Sequence, residues 1–177
     1  MRIFVFYVLR ITYFYKHPAT NMKIINDSLP ISTRGFNDII DITSSVQKLV
    51  AKTGIKNGQA TVFVSGSTAG ITTIEYEPGL LKDLPAAFEK IAPMNVRYHH
   101  DDRWGDGNGY AHVRAALLGA SLVIPISESQ LILGTWQQIV LIDFDNRPRE
   151  REVVVQVMGE CGGDGVSGRV EEWEKWI

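Results

Sequence analysis

The sequence predicts an α+β fold: two packed, mainly antiparallel β-sheets, sandwich-like, with two or three flanking helices. Three observations predict it. Short runs rich in β-branched and aromatic residues, such as Val62-Phe63-Val64 and Ile71 to Tyr76, recur between turn signals and read as strands. Helical spacing of apolar residues is confined to a few stretches between them. Apolar residues make up 45% and charged residues 21% of 177 residues, enough for one domain with a sizeable core.

The elements follow in order. Residues 36–53 read as a turn and then a helix, because Ile42, Val46, Leu49 and Val50 recur at helical spacing. Asp41 or Thr43 caps its start and Gly54 ends it. Gln59 to Ser65 is a strand, Gly66 to Gly70 a turn or bulge, and Ile71 to Tyr76 a second strand ended by Pro78-Gly79. Leu80, Leu81, Leu84, Phe88 and Ile91 mark a second helix, capped by Asp83 and closed by Pro93. Pro85 is expected in its first turn, where a missing N–H costs nothing. Asn108 to Leu118 is a third helix, ended by Gly119. Ser121 to Ile126 is a strand, and the long apolar stretch Leu131 to Phe144 reads as a core strand, straight or bent near Gly134. Asp145-Asn146-Arg147-Pro148 is turn chemistry, and valine-rich Glu152 to Met158 is a central or interface strand.

Residues 22–160 read as a single domain. Residues 1–21 read as an N-terminal extension outside the fold, with aromatics from Phe4 to Tyr15, the cations Arg2, Arg10 and Lys16, and no acid. A membrane span needs about 20 apolar residues, and this run breaks at Arg10. A signal peptide would need a small-x-small cleavage site, which does not follow Ile3 to Leu9. Met22-Lys23 resembles an ordinary domain start, so Met22 is the expected initiator. Residues 161–177 read as a C-terminal tail carrying Trp173 and Trp176.

A net charge of −2 argues against a general nucleic-acid binder and against a polybasic membrane surface, so neither partner is expected. Cys161 is the single cysteine, which excludes an intramolecular disulfide and a CxxC-type zinc site. The expected compartment is the reducing cytoplasm.

The chemistry concentrates in His100-Asp101-Asp102-Arg103-Trp104-Gly105-Asp106-Gly107-Asn108-Gly109-Tyr110-Ala111-His112. Imidazoles, carboxylates and a carboxamide share one glycine-loosened loop that runs into a helix. Asn108 and His112 stand four apart and so share a helix face. His100, His112 and Asp106 suit a divalent ion, zinc or magnesium, because such ions take imidazole nitrogen and carboxylate oxygen. The same groups suit acid–base work, with Asp102 or Asp106 orienting a histidine. A solvated acidic loop followed by a helix with one satisfied histidine is the plainer reading.

Other candidates are more scattered. Ser67 and Thr68, in Gly66-Ser67-Thr68-Ala69-Gly70, offer hydroxyl and backbone donors to an anion, although no lysine follows as in a Walker loop; a tight turn is the alternative. Glu75 reads as a base on a strand face shared with Ile71 and Thr73, or as an edge carboxylate. Thr135 and Gln137 place polar groups beside Trp136 on an apolar strand, where a buried amide needs a partner. Arg149 can fork onto phosphate, or be a solvated turn residue.

Three blocks together resemble the YjbQ-like family, often labelled secondary thiamine-phosphate synthases, over about Met22 to Glu160. They are Phe63-Val-Ser-Gly-Ser-Thr-Ala-Gly-Ile-Thr-Thr-Ile-Glu-Tyr-Glu-Pro78; Tyr98-His-His-Asp with Asn108 and Ala111-His112; and Leu133-Gly-Thr-Trp-Gln137 with the Arg149 region. The resemblance implies a two-sheet α+β fold and a homotrimer with its site near a subunit interface. It implies His112, His100, Glu75 and Asn108 as catalytic residues and Ser67, Thr68, Thr135, Gln137 and Arg149 as ligand contacts. The implied substrate is a small phosphorylated molecule. The implied reaction joins a hydroxymethylpyrimidine diphosphate to a thiazole phosphate, giving thiamine phosphate and pyrophosphate, as a side activity. Many members place His-Thr-Thr-Ala where this chain has Gly66-Ser67-Thr68-Ala69, so one imidazole of the family pattern is missing. A metal-dependent hydrolase of a small phosphate or amide, and a non-catalytic metal- or ligand-binding trimer, are the alternatives.

Overall fold

The computed structural model describes residues 22–161. The readings of residues 1–21 and of the tail beyond Cys161 lie outside them. Two antiparallel sheets form the frame. The larger is built from β1 (Met22–Thr33), β3 (Ile55–Val64), β5 (Ser121–Ser127), β6 (Gln130–Leu131) and β8 (Arg149–Cys161), in the order β1-β8-β3-β5-β6. The smaller contains β2 (Asp38–Asp41), β4 (Ala69–Ile74) and β7 (Gln138–Asp143), in the order β2-β7-β4. The helices are α1 (Thr43–Lys52), α2 (Leu80–Ile91), α3 (His99–Trp104) and α4 (Gly109–Leu118), where the sequence predicts two or three.

Strand β7 explains why two layers form. Its side chains alternate between faces, and both faces are buried. Ile139 and Leu141 enter the core between the sheets, with Val62 and Val64 of β3, Val153 and Val155 of β8, and Val46 and Val50 of α1. Val140 and Ile142 face the other way and pack with Phe144 against Phe88 of α2 and Tyr110, Ala111 and Ala115 of α4. The α2–α4 layer therefore lies on the outer face of the smaller sheet. Gly70 keeps β4 and α4 close: a Cβ there would sit 2.7 Å from both the Gly119 carbonyl and the Leu118 side chain.

Several expectations change. Strand β1 has no counterpart among the elements expected from sequence. It is a largely exposed edge strand in register with β8 from Met22↔Glu160 to Thr33↔Arg149, and an edge tolerates proline. Residues 38–41, expected to lie in the turn before the first helix, form β2. Asp41 then caps α1, accepting from the Thr43 amide (2.9 Å) and hydroxyl (2.6 Å). Helix α2 starts earlier than predicted: the Glu77 carboxylate accepts the Gly79 and Leu80 amides. Asp83 sits in its first turn and Pro85 inside it. Leu131 to Phe144 is not one strand, because the exposed turn at Gly134–Gln137 separates β6 from β7.

Candidate functional site

The acidic stretch is a short helix joined to a long one, not a loop. Tyr98 begins α3, and Gly105 (φ 70°) ends it in the left-handed conformation that glycine adopts without strain. The Asp101 carboxylate then accepts the Gly109 amide at 2.9 Å and so anchors the first turn of α4. A Cβ on Gly109 would lie 2.5 Å from the Tyr98 side chain, so glycine lets the two helices meet.

This junction brings the histidines together. The rings of His100 and His112 lie 4.3 Å apart, centroid to centroid, tilted by 35°. His100 Nδ1 is 3.4 Å from an Asp106 oxygen and 3.5 Å from Asp101 Oδ1. Both separations are long for hydrogen bonds, and Nδ1 is buried without a hydrogen-bond partner. One donor atom from each of His100, Asp101 and Asp106 lies within 4.8 Å of the others. Two donors each about 2.1 Å from a tetrahedral zinc stand about 3.4 Å apart, so these residues fit a divalent ion. Of the expected set, His100 and Asp106 lie in this group together with Asp101, and His112 stacks on His100 beside them. Burial, and then the neighbouring His100, hold the His112 imidazole below its usual pKa, against the opposing pull of Asp106, Asp145 and Asp101.

Asn108 and His112 line different hollows. Asn108 is the residue before α4, its carbonyl accepting the Ala111 amide at 2.8 Å. It is buried, its side-chain oxygen has no partner, and it lines a hollow of about 230 Å³ with Asp106, Asn146, Arg147 and Arg149. His112 lines a larger cleft of about 450 Å³ with Gly66, Ser67, Ala69, Ala115, Ala116, Gly119 and Ala120. Asn146 donates to the Asp106 carbonyl at 2.7 Å and ties the Asp106 loop to the turn before β8.

Below the bend at Gly66–Thr68 lies an ionic network that the sequence reading missed. Arg151 grips Asp143 through two 2.7 Å hydrogen bonds, from Nε and Nη2. Thr33 donates to the same carboxylate at 2.5 Å. Arg149 pairs with Asp145 at 2.7 Å. Thr68 links the pairs, accepting from Arg151 at 2.8 Å and donating to Asp145 at 2.9 Å. Burial alone would raise the Asp145 carboxyl; hydrogen bonds from Thr68, Arg149 and the Asn146 amide outweigh it and hold the group below the usual carboxylate range. Thr68 is therefore a buried connector rather than a free donor to ligand, whereas Ser67 is exposed at the cleft. The signal was present in the sequence: acids at 143 and 145 and arginines at 149 and 151 keep the two-residue period of adjoining strands.

The remaining candidates lie elsewhere. Glu75 is exposed just beyond the end of β4. Ala69, at the start of that strand, lines the His112 cleft, and six extended residues span about 20 Å. Thr135 and Gln137 occupy the exposed Gly134–Gln137 turn at that same far end, since Ile74 pairs with Gln138. The Gln137 side chain accepts the Gly134 amide at 3.0 Å and donates to Thr73 at 3.1 Å. Its partners are local, and it is not buried as expected. Trp136 beside it is 70% exposed, which rules out a core role within one chain.

The model of the family described as UPF0047 protein YjbQ-like matches residues 27–160. A UPF0047 protein of Methanothermobacter thermautotrophicus is 37% identical over 78% of this chain and 95% of its own length. The UPF0047 protein YugU of Bacillus subtilis is also 37% identical, over 75% and 98%. Among solved structures, a protein of unknown function from Sulfolobus solfataricus is 37% identical, covers 78% of this chain and 99% of its own, and superposes with a TM-score of 0.75. A conserved protein of Clostridium acetobutylicum, 38% identical over 75% and 98%, gives 0.66. No helix among the described residues is long and apolar enough to cross a membrane. On these matches of sequence and fold, the chain belongs to the UPF0047 family of YjbQ-like proteins.

Proposed function

We propose that the protein is an enzyme acting on a small phosphorylated molecule in the His112 cleft, assisted by a divalent ion on His100, Asp101 and Asp106. The observation that carries this reading is the stacked histidine pair, with His112 lining a cleft and His100 beside two carboxylates. A divalent ion bound there would supply charge stabilisation to a phosphoryl oxygen or acidify a water. His112, kept neutral near pH 7 by burial and by His100, takes a proton from an attacking group or returns one to a leaving oxygen. Ser67, which lines the same cleft, donates to the phosphate. The Asn108 amide, buried with an unpartnered oxygen, accepts from a ligand N–H or O–H in the adjoining hollow.

Within this reading, thiamine-phosphate synthesis is a side activity that uses the same phosphate handling. The working form is a homotrimer; the exposed apolar side chains Ile24, Trp104, Leu117 and Val123 support self-association, and sedimentation velocity checks it. The compartment is the reducing cytoplasm, in keeping with the single free thiol of Cys161.

Turnover tests the proposal. Metal-loaded protein is assayed for phosphate release from small phosphate esters and for thiamine phosphate formation from its two precursors. His112→Ala lowers turnover by about a hundredfold or more without loss of fold. Bound metal with no turnover on any substrate would favour the non-catalytic binding trimer.

A further inference from the structure

Arg151 lies behind Gly66, a residue lining the His112 cleft, with one nitrogen uncommitted. Its side chain is more than nine-tenths buried at 9% exposure. Nε and Nη2 are spent on Asp143 and Thr68. Nη1 has no hydrogen-bond partner among the described residues, and it lies 2.9 Å from where a Cβ on residue 66 would stand. Residue 66 is glycine with φ +128°, so no side chain covers that nitrogen. Gly66 and Ser67 in turn line the same cleft as His112. A guanidinium nitrogen carries two N–H donors, and leaving them unused beside a cleft wastes strong hydrogen-bonding capacity.

We propose that Arg151 Nη1 and Ser67, opened to the cleft by Gly66, form an oxyanion subsite for the phosphate of a phosphate monoester. The assignment rests on the reading of this cleft as a phosphate-ester site and names where the phosphate sits. Asp143 fixes the guanidinium plane through its two parallel bonds, so the free nitrogen is already oriented and little side-chain entropy is lost on binding. The cluster of Arg149, Arg151, Asp143 and Asp145 is charge-balanced, so direct donation, not net charge, holds the anion. The other walls are Ala69, Ala115, Ala116, Gly119 and Ala120. The ester's remaining part is therefore compact and carries few polar groups, within a cleft of about 450 Å³.

The test titrates inorganic phosphate into chelator-washed full-length protein at constant ionic strength, by calorimetry and by thermal midpoint. Wild type is expected to bind saturably. Gly66→Ala covers Nη1 without touching a charge, and Arg151→Lys keeps a cation against Asp143 but loses the fork. Each weakens phosphate by about tenfold or more. Both sit in demanding places, so circular dichroism accompanies them, and Ser67→Ala on the exposed bend provides a variant with an undisturbed fold and a weakening of about threefold. Arg147→Ala, in the neighbouring hollow, leaves binding unchanged. No saturation of wild type at tens of millimolar phosphate, binding unaltered in the folded Gly66, Arg151 and Ser67 variants, or binding lost in Arg147→Ala would overturn the subsite. No metal or turnover enters this measurement. Turnover without phosphate binding therefore sinks the subsite alone, and phosphate binding without turnover sinks the catalytic reading alone.

Discussion

His100 and His112 come from different helices, yet their rings stack at 4.3 Å with a tilt of 35°. Asp101 makes this possible by serving two helices: it belongs to α3 and accepts the first amide of α4. The stack therefore depends on a cap as much as on the rings.

Divalent-ion binding follows from the donor set. His100→Ala and Asp106→Ala are each expected to weaken zinc by at least about tenfold, while His112→Ala retains most of the metal. Metal content after dialysis against a zinc buffer measures this. Zinc lost only in His112→Ala would relocate the site.

The Asp145 carboxyl titrates below its usual range when folded. A depressed carboxylate stabilises the fold above its unfolded pKa of about 3.9, and that contribution disappears as pH falls through the lower folded value. Urea unfolding from pH 7 to pH 3 is expected to show stability falling with acid. Asp145→Asn should flatten that decline and cost about 3 kcal/mol at pH 7. Equal slopes in the two proteins would assign the acid sensitivity elsewhere.

Gly58 and Gly159 face one another across β3 and β8, beside the irregularity at Ile55/Asn57. A Cβ on Gly58 would lie 2.1 Å from the Met158 carbonyl, and one on Gly159 would lie 2.2 Å from the Asn57 carbonyl. Gly58→Ala should destabilise by about 1–3 kcal/mol or more, because backbone cannot step aside as a flexible side chain can. The denaturation midpoint reports it; an unchanged midpoint would show that the strands separate freely there.

Phe144 is fully buried and meets Phe88 edge to face, with centroids 4.9 Å apart. Phe144→Ala is expected to cost about 3–5 kcal/mol. It should also loosen the α2–α4 layer, raising amide exchange in α4 before β3. Exchange rising equally in both would mean that the two cores melt as one.

The legible parts of the fold were those whose pattern matched their burial. Val62 and Val64, Ile71, and Val153, Val155 and Val157 of β8 are buried as their sequence suggests. Strand β1 was illegible because an edge strand needs little apolar surface, and Asp27 and Pro30 are tolerated where one side meets solvent. In the site, sequence proximity was a good guide for His100, Asp101 and Asp106 and a poor one for Asn108 and His112, which turn into separate hollows. Arg151 was passed over because the strand was read as starting at Glu152, whereas β8 begins at Arg149 and brings Arg151 onto Asp143.

Strand β8 also sets the order in which the protein can assemble. It is the last strand of the described residues, yet it lies between β1, the first, and β3. A ribosome must therefore deliver nearly the whole domain before the larger sheet has its middle. Until then Asp143 and Asp145 await the arginines that β8 brings. Pairings so distant in sequence form slowly, so the larger sheet stays open, its edges exposed to aggregation, until β8 has emerged.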